Sequence, residues 1–289
     1  MQECKELSQQ FVKSLRNIPG LYFQRLAAQA EQCHRWFHKC ECVNGHKFAR
    51  PDYSCKSRLC PFDMRARSMK AVHKYGAALK ALRDPRYAVL TVENCPLEML
   101  GAAITDLFAA FERLRHSKVW TTVRGAVAVL EITFNRQERT WHPHINVIFD
   151  GSFIPKAKLD AAWLRATHGH GRFTWIERVD DKTFYELLKY VTKLADFVDV
   201  PQAVEWFLRG TRGRRFIRTY GSLYGFGFGD EDQEETGQGN VVCPDCGCSH
   251  VQVLSYSLPS QGVYYDESGI LRVCEGAYRM GLTHGRCLT

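Results

Sequence analysis

Hydrophobic residues in the middle of the chain switch between the two-residue period of a strand and the three-to-four-residue period of a helix. Residues 87–93 alternate and predict a strand, whereas residues 96–116 place apolar side chains on one helical face. Applied along the chain, these periods predict strands at 87–93, 125–134, 141–149 and 172–179, and helices at 96–116, 155–167 and 183–197.

The order of these elements predicts the fold class. Strand, helix, strand, strand, helix, strand is the order of a ferredoxin-like, split β-α-β domain, an α+β fold built on an antiparallel sheet. The polar loop 135–140 suits a hairpin between the second and third strands. If this hairpin closes symmetrically, Phe134 pairs with Trp141, and Glu131 falls opposite His144.

The flanking sequences predict smaller parts around this central domain. At 289 residues the chain is longer than a usual single domain. Cysteine clusters lie near both ends, and a basic, glycine-rich stretch precedes the second cluster. We predict a zinc-braced helical region at 1–85, the central domain at 86–200, a basic strip and flexible linker at 201–240, and a small zinc-ribbon-like module at 241–289.

Charge and cysteine content narrow the class of partner and the compartment. Lysine and arginine outnumber aspartate and glutamate by 39 to 31, and the net charge of +8 favours a polyanionic partner. No apolar run approaches the roughly 20 residues that span a bilayer, and the N-terminus lacks a signal-peptide pattern, so we expect a cytoplasmic protein without a membrane partner. In a reducing compartment, the 12 cysteines favour metal binding over disulfides.

Polar side chains recur on one face of the strand predicted at 141–149. His142, His144 and Asn146 point the same way because side chains alternate along a strand. Glu131 lies in an apolar segment, where an acid is costly unless it is solvated, paired or bound to metal. Together these groups predict a site for Mg²⁺ or Mn²⁺ with positions open for phosphate oxygens. A hydrogen-bonded polar cleft without metal is the alternative.

A second candidate site lies on the helix predicted at 183–197. Glu186, Tyr190 and Lys193 share one helical face. A tyrosine hydroxyl, whose ordinary pKa is about 10, needs a neighbouring cation or base to act as a nucleophile near neutral pH. In this interpretation Lys193 supplies the charge, and Glu186 is a base for water or an alcohol. The alternative is a surface helix whose Glu186 contacts Tyr190 without catalysis.

The cysteines fall into two candidate zinc clusters, which predict one or two structural Zn²⁺ ions. Cys243-Pro-Asp-Cys246-Gly is a knuckle sequence that points two thiolates at one tetrahedral ion. His284 and Cys287 have the spacing to close that site, with Cys274, Cys248 and His250 as competitors. Scattered buried thiols are the alternative. The candidate ligands of the first cluster are Cys40, Cys42, His46, Cys55 and Cys60, with Cys33 and His34 nearby.

A basic stretch with interleaved aromatic residues follows residue 208. Such a strip suits phosphate contacts, with rings that stack on unpaired bases. A solvated basic loop is the alternative interpretation. The candidate DNA-binding residues are Arg212, Arg214, Arg215, Arg218 and Tyr220.

Taken together, these motifs resemble the rolling-circle replication initiators (Rep) of the H-U-H endonuclease superfamily, in their plasmid and phage-like group with a single catalytic tyrosine. The resemblance covers residues 55–220. It is carried by Leu130-Glu131-Ile132-Thr133, by Trp141-His142-Pro143-His144 through Val147, by Glu186, Tyr190 and Lys193, and by Cys55-Lys-Ser-Arg-Leu-Cys60-Pro61. Two positions depart from the family pattern: Asn146 stands where a second histidine is usual, and Asp63 stands where another cysteine is usual.

The resemblance implies a DNA nicking and joining cycle. In such a cycle, Tyr190 attacks a phosphate near a bound Mg²⁺ or Mn²⁺ and forms a 5′-phosphotyrosine link, while the free 3′-hydroxyl primes synthesis. It also implies a single-stranded or hairpin DNA origin, a host helicase and host replication proteins as partners. The oligomeric state stays open. A non-catalytic, zinc-containing DNA-binding regulator and a related transposase are the other functions compatible with these residues.

Overall fold

A computed structural model of the chain describes residues 2–179, 196–225, 241–259, 263–266 and 270–274. Two compact units divide the chain, one of residues 67–229 and the other of residues 1–66 with 230–289. Five predicted site residues lie outside the described residues: the three of the tyrosine site, Glu186, Tyr190 and Lys193, and two candidate ligands of the second zinc cluster, His284 and Cys287.

Both units contain helices and strands. Within the described residues no helix is long and apolar enough to cross a lipid bilayer. Short 3₁₀ turns occupy Leu97–Met99 and Lys118–Trp120. The elements are α1 Gln2–Arg16, α2 Leu21–Gln32, β1 Trp36–Cys42, β2 Lys47–Pro51, α3 Pro61–Lys80, β3 Pro85–Val92, β4 Cys95–Pro96, α4 Leu100–Arg115, β5 Val123–Asn135, β6 Thr140–Gly151, α5 Lys156–Ala166, β7 Gly171–Arg178, α6 Pro201–Thr211, β8 Ile217–Gly221, β9 Val251–Pro259, β10 Val263–Tyr265 and β11 Leu271–Val273.

An antiparallel sheet forms the centre of the larger unit, with strands in the order β7-β3-β6-β5-β8 and the short β4 paired to β6. The expected α+β class with an antiparallel sheet is therefore confirmed. The hairpin of β5 and β6 closes in the predicted register, with Glu131 opposite His144 and Phe134 opposite Trp141. A one-residue slip would have moved every one of these side chains to the other face.

Helices cover one face of this sheet, and the apolar residues that alternate along its strands form the core there. Leu130 and Ile145 are fully buried on this face, together with Phe111 of α4. The Trp141 ring packs against the rings of Phe197 and Phe207, at centroid distances of 4.9 and 5.9 Å. Each such side chain contributes about 1.5–3 kcal/mol of burial free energy. The core thus fixes the strands that carry polar residues on their other face.

Residues 201–225 fold onto the sheet, although we expected a basic strip and linker from residue 201. Helix α6 begins at Pro201, and β8 pairs with β5 from Val129 opposite Ile217 to Gly125 opposite Gly221. Gly221 has φ +61°, and a Cβ there would lie 2.2 Å from the main-chain oxygen of Arg124, so this close strand approach requires glycine. Pairing with β5, rather than the basic composition, therefore determines the structure of residues 217–221.

The end of β6 is held to the start of β5 by an ion pair. Arg124 donates to both carboxylate oxygens of Asp150, at 2.8 and 2.6 Å, and the backbone N–H of Asp84 donates to Asp150 Oδ1 at 2.9 Å. Arg124 is half-exposed, whereas only 9% of the Asp150 side chain is exposed. These hydrogen bonds, from Arg124 above all, hold the pKa of Asp150 below its ordinary value.

We expect Asp150→Asn to lower the free energy of unfolding by about 2 kcal/mol at pH 7, because Arg124 loses its charged partner. A carboxyl whose folded pKa is depressed stabilises the fold above its unfolded pKa of about 4, and this stabilisation is lost as pH falls through the folded pKa. The difference in the free energy of unfolding between wild type and variant should therefore become smaller towards pH 3. Urea denaturation at pH 7 and at pH 3 measures this difference, with Asp106→Asn, a change at an exposed residue, as the control. An equal difference at both pH values would show that the stabilisation does not depend on ionisation of Asp150.

The smaller unit contains a second antiparallel sheet in the order β2-β1-β9. Cys42 of β1 pairs with Val251 of β9, so a strand from the C-terminal part of the chain lies beside an N-terminal strand. Phe37 and Ala49 are buried with Val263 and Leu271 of the β10–β11 hairpin. In its described part, the segment 241–289, expected as a small zinc-ribbon-like module, thus shares a sheet and a core with the N-terminal region.

The larger and smaller units divide near residue 66, inside α3 and upstream of the boundary expected at residue 85. The first turn of α3 belongs with the cysteine-rich region, since Phe62 packs against Cys33 and Cys60. This packing accounts for the position of the division.

Candidate functional site

A polar cluster occupies the face of the larger sheet that lies opposite the helix-covered core. Strand alternation places Glu131 of β5 beside His144 and Asn146 of β6. Glu131 Oε2 lies 3.1 Å from His144 Nε2, and it accepts a 2.7 Å hydrogen bond from Asn146 Nδ2. The Glu131 and His144 side chains are 16% and 12% exposed, so they are sheltered but still accessible from solvent. The structure thus brings three of the four predicted metal-site residues into direct contact.

The Asn146 amide is held at both ends. Its nitrogen faces Glu131, and its oxygen accepts a 2.8 Å hydrogen bond from the hydroxyl of Tyr87. Sequence analysis missed Tyr87, which lies on β3. The period of β3 puts Tyr87 and Val89 on one face, but only the observed pairing of Val89 with Asn146 shows that this is the face of the site.

His142 is held apart from the other three by a different partner. Its Nδ1 lies 2.9 Å from Asn94 Oδ1, an acceptor, so Nδ1 carries the proton. Burial, and then the neighbouring His144, lower the pKa of His142, while Glu131 opposes this shift. The ring is therefore neutral at pH 7, and its Nε2 keeps a free lone pair. The centroids of the His142 and His144 rings are 5.4 Å apart.

Both ring nitrogens of His144 face acceptor oxygens. Nδ1 lies 3.4 Å from the carbonyl oxygen of His142, and Nε2 lies 3.1 Å from Glu131 Oε2. A neutral imidazole has a single N–H, so one of these contacts requires a second proton or a cation between the two atoms. Adjacent ligands of an octahedral ion with bonds of about 2.1 Å are separated by about 3.0 Å. The Glu131–His144 spacing therefore fits two neighbouring ligands of one ion.

The first cysteine cluster differs from the predicted one in its members. The ligand atoms of Cys33, Cys55, Cys60 and Asp63 all lie within 4.8 Å of one another. Of the predicted set, Cys55 and Cys60 are present. Cys42 and His46 lie in another cluster, and the buried Cys40 contacts the His38 carbonyl at 3.9 Å without entering either group. The β1–β2 hairpin holds Cys40, Cys42 and His46 outside the group formed by Cys33, Cys55, Cys60 and Asp63, so the prediction that these three residues belong to the first cluster is corrected.

Asp63 takes the place that sequence analysis left without a ligand. Asp63 Oδ2 lies 3.5 Å from Cys33 Sγ and 3.3 Å from Cys55 Sγ, and Ser54 donates to Oδ1 at 2.6 Å. Burial, and then Cys60, raise the pKa of Asp63. Hydrogen bonds from Cys33 and Cys55 lower the pKa of Cys60 to about 3. Four acidic groups this close cannot all ionise without a cation, so the cluster has the composition of a metal site.

The second cluster joins loops from both ends of the chain. The sulfur atoms of Cys42, Cys243, Cys246 and Cys248 lie within 4.8 Å of one another. His46 also lies close to Cys243. Cys274, a predicted competitor for this site, is in none of the ligand groups found among the described residues. Cysteine clusters that can hold metal are therefore present, with memberships that the sequence spacing did not determine.

The predicted basic strip is partly occupied by contacts to α4. The Arg115 guanidinium lies 4.1 Å from the Tyr220 ring centroid, and burial raises the pKa of Tyr220. Arg218 stacks on Phe108 at 3.5 Å, and Arg214 donates to Thr105 Oγ1 at 2.9 Å. In contrast, Arg212 and Arg215 are exposed. In the register of β8, Arg218 and Tyr220 lie on the helix-covered face, so the structure does not bring them to the Glu131 cluster.

Comparisons with known proteins point to replication proteins. A family model described as a replication protein matches residues 45–158, a range that includes Asp63, Glu131 and His144. The chain is 37% identical over 103 residues to a Rep protein of Streptococcus pneumoniae. The aligned residues make up 33% of this chain and 32% of that protein. It is 31% identical over 166 residues to a Rep protein of Bacillus amyloliquefaciens, which covers 52% of this chain and 49% of that protein.

A third Rep protein, from Staphylococcus aureus, is 24% identical over 164 residues, which covers 50% of this chain and 72% of that protein. The chain spans about half the length, or less, of the first two relatives. No solved structure matches the chain significantly. The resemblance to Rep replication proteins that the motifs indicate is confirmed by these matches.

Proposed function

From this similarity to Rep proteins, we propose that the chain initiates rolling-circle DNA replication by nicking and rejoining one strand of an origin through a 5′-phosphotyrosine intermediate. The observation that carries the proposal is the pairing of Glu131 with His144 at the spacing of neighbouring metal ligands, inside the segment that matches replication proteins. A cation held there leaves positions open for phosphate oxygens.

The topology supports an H-U-H type of domain. Strands β7, β3, β6 and β5 are neighbours in that order, and α4 and α5 connect strands of this sheet. Four antiparallel strands with two such helical connections are the arrangement of a ferredoxin-like domain. The proposed domain uses the polar face of this sheet for catalysis, while α4 packs on the other.

The described residues on either side of the tyrosine segment lie near opposite ends of β6. Arg178, at one side, pairs with Arg86, which pairs with Phe149. Phe197, at the other side, packs on Trp141. Along β6, Phe149 and Trp141 are about 26 Å apart at roughly 3.3 Å per residue. The proposal places Tyr190, which belongs to the segment between these two residues, at the Glu131–His144 site of β5 and β6.

In the proposed reaction, the Tyr190 oxygen attacks the scissile phosphorus in line. A bond from the phenolic oxygen to phosphorus forms and the bond from phosphorus to O3′ breaks; the phenol gives up one proton, and the leaving O3′ takes up one to become a free 3′-hydroxyl. A bound Mg²⁺ or Mn²⁺ would polarise the phosphate. Lys193, one turn beyond Tyr190, favours the phenolate. In the reverse step, Glu186 accepts a proton from water or from the 3′-hydroxyl that attacks the phosphotyrosine.

Within the site, we assign Asn146 to positioning Glu131, and His142 to the place of the second imidazole. The Asn146 oxygen, its only ligating atom, is engaged by Tyr87, whereas its nitrogen restrains the Glu131 carboxylate. His142 keeps a free Nε2 because Asn94 accepts from its Nδ1. Hydrogen bonds that orient ligands in this way typically change metal affinity by about 10–100-fold.

We also propose that Cys33, Cys55, Cys60 and Asp63 bind a structural Zn²⁺. Asp63→Ala should release one equivalent of zinc, because one ligand of four contributes roughly 3 kcal/mol, or about 100-fold in affinity. Asp63→Cys should retain the metal, since it supplies a fourth thiolate. Elemental analysis of each purified full-length variant measures its zinc content, and competition with a chromogenic chelator measures its zinc affinity. Unchanged zinc content and affinity in Asp63→Ala would remove Asp63 from the ligand set.

The proposed partners are a single-stranded or hairpin DNA origin, a host helicase and host replication proteins in the cytoplasm. Arg212 and Arg215 are exposed and suit phosphate contacts. Arg214, Arg218 and Tyr220 are engaged on α4, so DNA binding by these three would compete with that packing.

A nicking assay tests the proposed function. The full chain is incubated with a pool of single-stranded hairpin oligonucleotides and Mg²⁺ or Mn²⁺, and protein-linked DNA is recovered under denaturing conditions and sequenced. We expect an adduct at a defined sequence that depends on the metal. Binding of DNA without any cleavage would instead support a non-catalytic regulator, the second candidate, which Asn146 in place of a histidine favours. Insertion of the linked strand into a second DNA would indicate a transposase.

A further inference from the structure

Two short loops of the smaller unit bring four ligand atoms together, although about 200 residues separate them along the chain. Cys42 Sγ lies 3.9 Å from Cys246 Sγ and 3.4 Å from His46 Nδ1. Cys243 Sγ lies 3.7 Å from the same nitrogen. Neither loop contributes to the Glu131 site or to the Asp63 cluster, so this convergence needs its own explanation.

These distances match those between the ligands of a tetrahedral zinc ion. With Zn–S bonds of about 2.3 Å and Zn–N bonds of about 2.0–2.1 Å, tetrahedral geometry separates two sulfurs by about 3.8 Å and a sulfur from a nitrogen by about 3.5 Å. The observed 3.9, 3.4 and 3.7 Å agree with these values to within a few tenths of an ångström. We propose that Cys42, His46, Cys243 and Cys246 bind one structural Zn²⁺ that ties the two loops together.

The two loops share a local geometry that prepares their thiols for a metal. The backbone N–H groups of Asn44 and His46 point at Cys42 Sγ, and those of two residues in the second loop, Asp245 and Cys246, point at Cys243 Sγ. Each loop also turns on a glycine with positive φ, Gly45 at +80° and Gly247 at +71°. Such N–H groups stabilise a thiolate, and they fix its direction before the metal binds.

Side chains around the four ligands complete the surroundings of the ion. Asn44 Nδ2 donates to Cys246 Sγ at 3.3 Å. Asp245 lies close to the cluster, but both of its oxygens accept from Arg272, at 2.8 and 2.6 Å. A guanidinium that donates to both carboxylate oxygens in this way occupies them, so the carboxylate does not serve as a metal ligand. Asp245 is therefore a structural neighbour of the ion, and the ligands are the three thiols and the imidazole.

Cys248 is the competitor for the fourth position, since its sulfur lies within 4.8 Å of the other three. Its main chain closes the loop: its carbonyl accepts from Cys243 N at 2.9 Å, and its N–H points at Cys246 Sγ. Cys248 also contacts Cys246 and Cys42, while His46 has its nitrogen 3.4 and 3.7 Å from two of the thiols, at the spacing of bound ligands. With His46, each loop supplies two ligands, and Cys248 stays outside the set.

The zinc closes the end of the second sheet. Cys42 ends β1 and pairs with Val251, the first residue of β9, so the ion lies where the two strands meet. An ion at this position joins the C-terminal strand to the N-terminal hairpin without residues 284–287. In this proposal four described residues complete the site, and the predicted closure by His284 and Cys287 lies outside the described residues.

Zinc content of full-length variants tests the ligand set, and it does not depend on DNA nicking. Relative to wild type, Cys246→Ser and His46→Ala should each lose one equivalent, whereas His46→Cys should retain it because a thiolate replaces the imidazole. Cys248→Ser and Cys287→Ser should also retain it. Full retention in His46→Ala, or loss in Cys248→Ser or Cys287→Ser, would overturn the assignment. Gel filtration and circular dichroism establish that each variant is folded.

Alkylation of the unmodified chain provides a second test. Cys246 is exposed, whereas Cys42 and Cys243 are buried. Bound zinc should protect Cys246 from iodoacetamide, and removal of zinc by a chelator should raise its alkylation rate by at least about tenfold, because a free thiolate is the reactive species. Peptide mass spectrometry reads each cysteine separately. Equal alkylation of Cys246 with and without chelator would show that it binds no metal.

Discussion

Replacement of Tyr190 by phenylalanine is expected to abolish the covalent DNA adduct while it leaves DNA affinity within about twofold of wild type. The substitution removes only the attacking oxygen, and loss of a nucleophile typically lowers a rate by roughly 10⁴-fold or more. Phenylalanine keeps the aromatic ring, and DNA binding through phosphate contacts should persist. The measurement is a denaturing gel of end-labelled origin oligonucleotide after incubation with Mn²⁺, with affinity measured separately by anisotropy.

Tyr185→Phe is the matched control for this experiment. Tyr185 is the other tyrosine of the predicted helix, and helical periodicity predicts that it lies off the face that carries Glu186. The Tyr185 variant should form the adduct at the wild-type rate. Should the Tyr190 variant still form an adduct, or should the Tyr185 variant lose it, Tyr190 is not the nucleophile, and peptide mapping of the linked DNA would identify the residue that is.

Substitution of His144 by alanine, or of Glu131 by glutamine, is expected to lower metal-dependent nicking by about 100-fold or more. Each change removes one of two proposed ligands that lie 3.1 Å apart, and a metal ligand of this kind contributes several kcal/mol to the stabilisation of a reacting phosphate. Titration with Mn²⁺ should show a weaker metal affinity, and DNA binding without metal should be unaffected. Glutamine has nearly the same shape as glutamate, so a loss of nicking in Glu131→Gln would reflect the loss of the negative charge.

Three further variants separate a metal role from a structural role. His116→Ala changes an exposed histidine of the α4 C-terminus and should leave nicking unchanged. Asn146→Ala and Tyr87→Phe should weaken Mn²⁺ binding by about 10–100-fold but recover at high Mn²⁺, as expected for positioning residues. Wild-type nicking and Mn²⁺ affinity in both His144→Ala and Glu131→Gln would place the metal site elsewhere.

The local parts of the fold were predictable because they depend on near neighbours in the chain. The alternation in β5 and β6, with a short polar loop between them, predicted the pairing of Glu131 with His144, and the structure has that register. The helix expected at 96–116 is present as α4, preceded by a 3₁₀ turn. In each case a single periodicity, read over fewer than about 30 residues, specifies the element.

Assignments that depended on distant pairing were less reliable. Residues 201–225 read as a basic strip because of their composition, yet β8 completes the sheet by pairing with β5. The zinc ligands were grouped by their spacing along the chain, whereas Asp63 joins Cys33, and Cys42 faces Cys246. No local signal indicates such contacts, because metal ligands need only converge in space.

The sequence alone determined the residue types and much of the local geometry of this protein: a strand hairpin with an acid opposite an imidazole, and knuckles with paired cysteines. Only the tertiary structure decided which of these groups meet. It paired β3 with β6, which brought Tyr87 to Asn146, and β1 with β9, which brought Cys42 to Cys246. The physical reason is that local periodicity orients a side chain on its own element, whereas burial of the shared core decides which elements become neighbours.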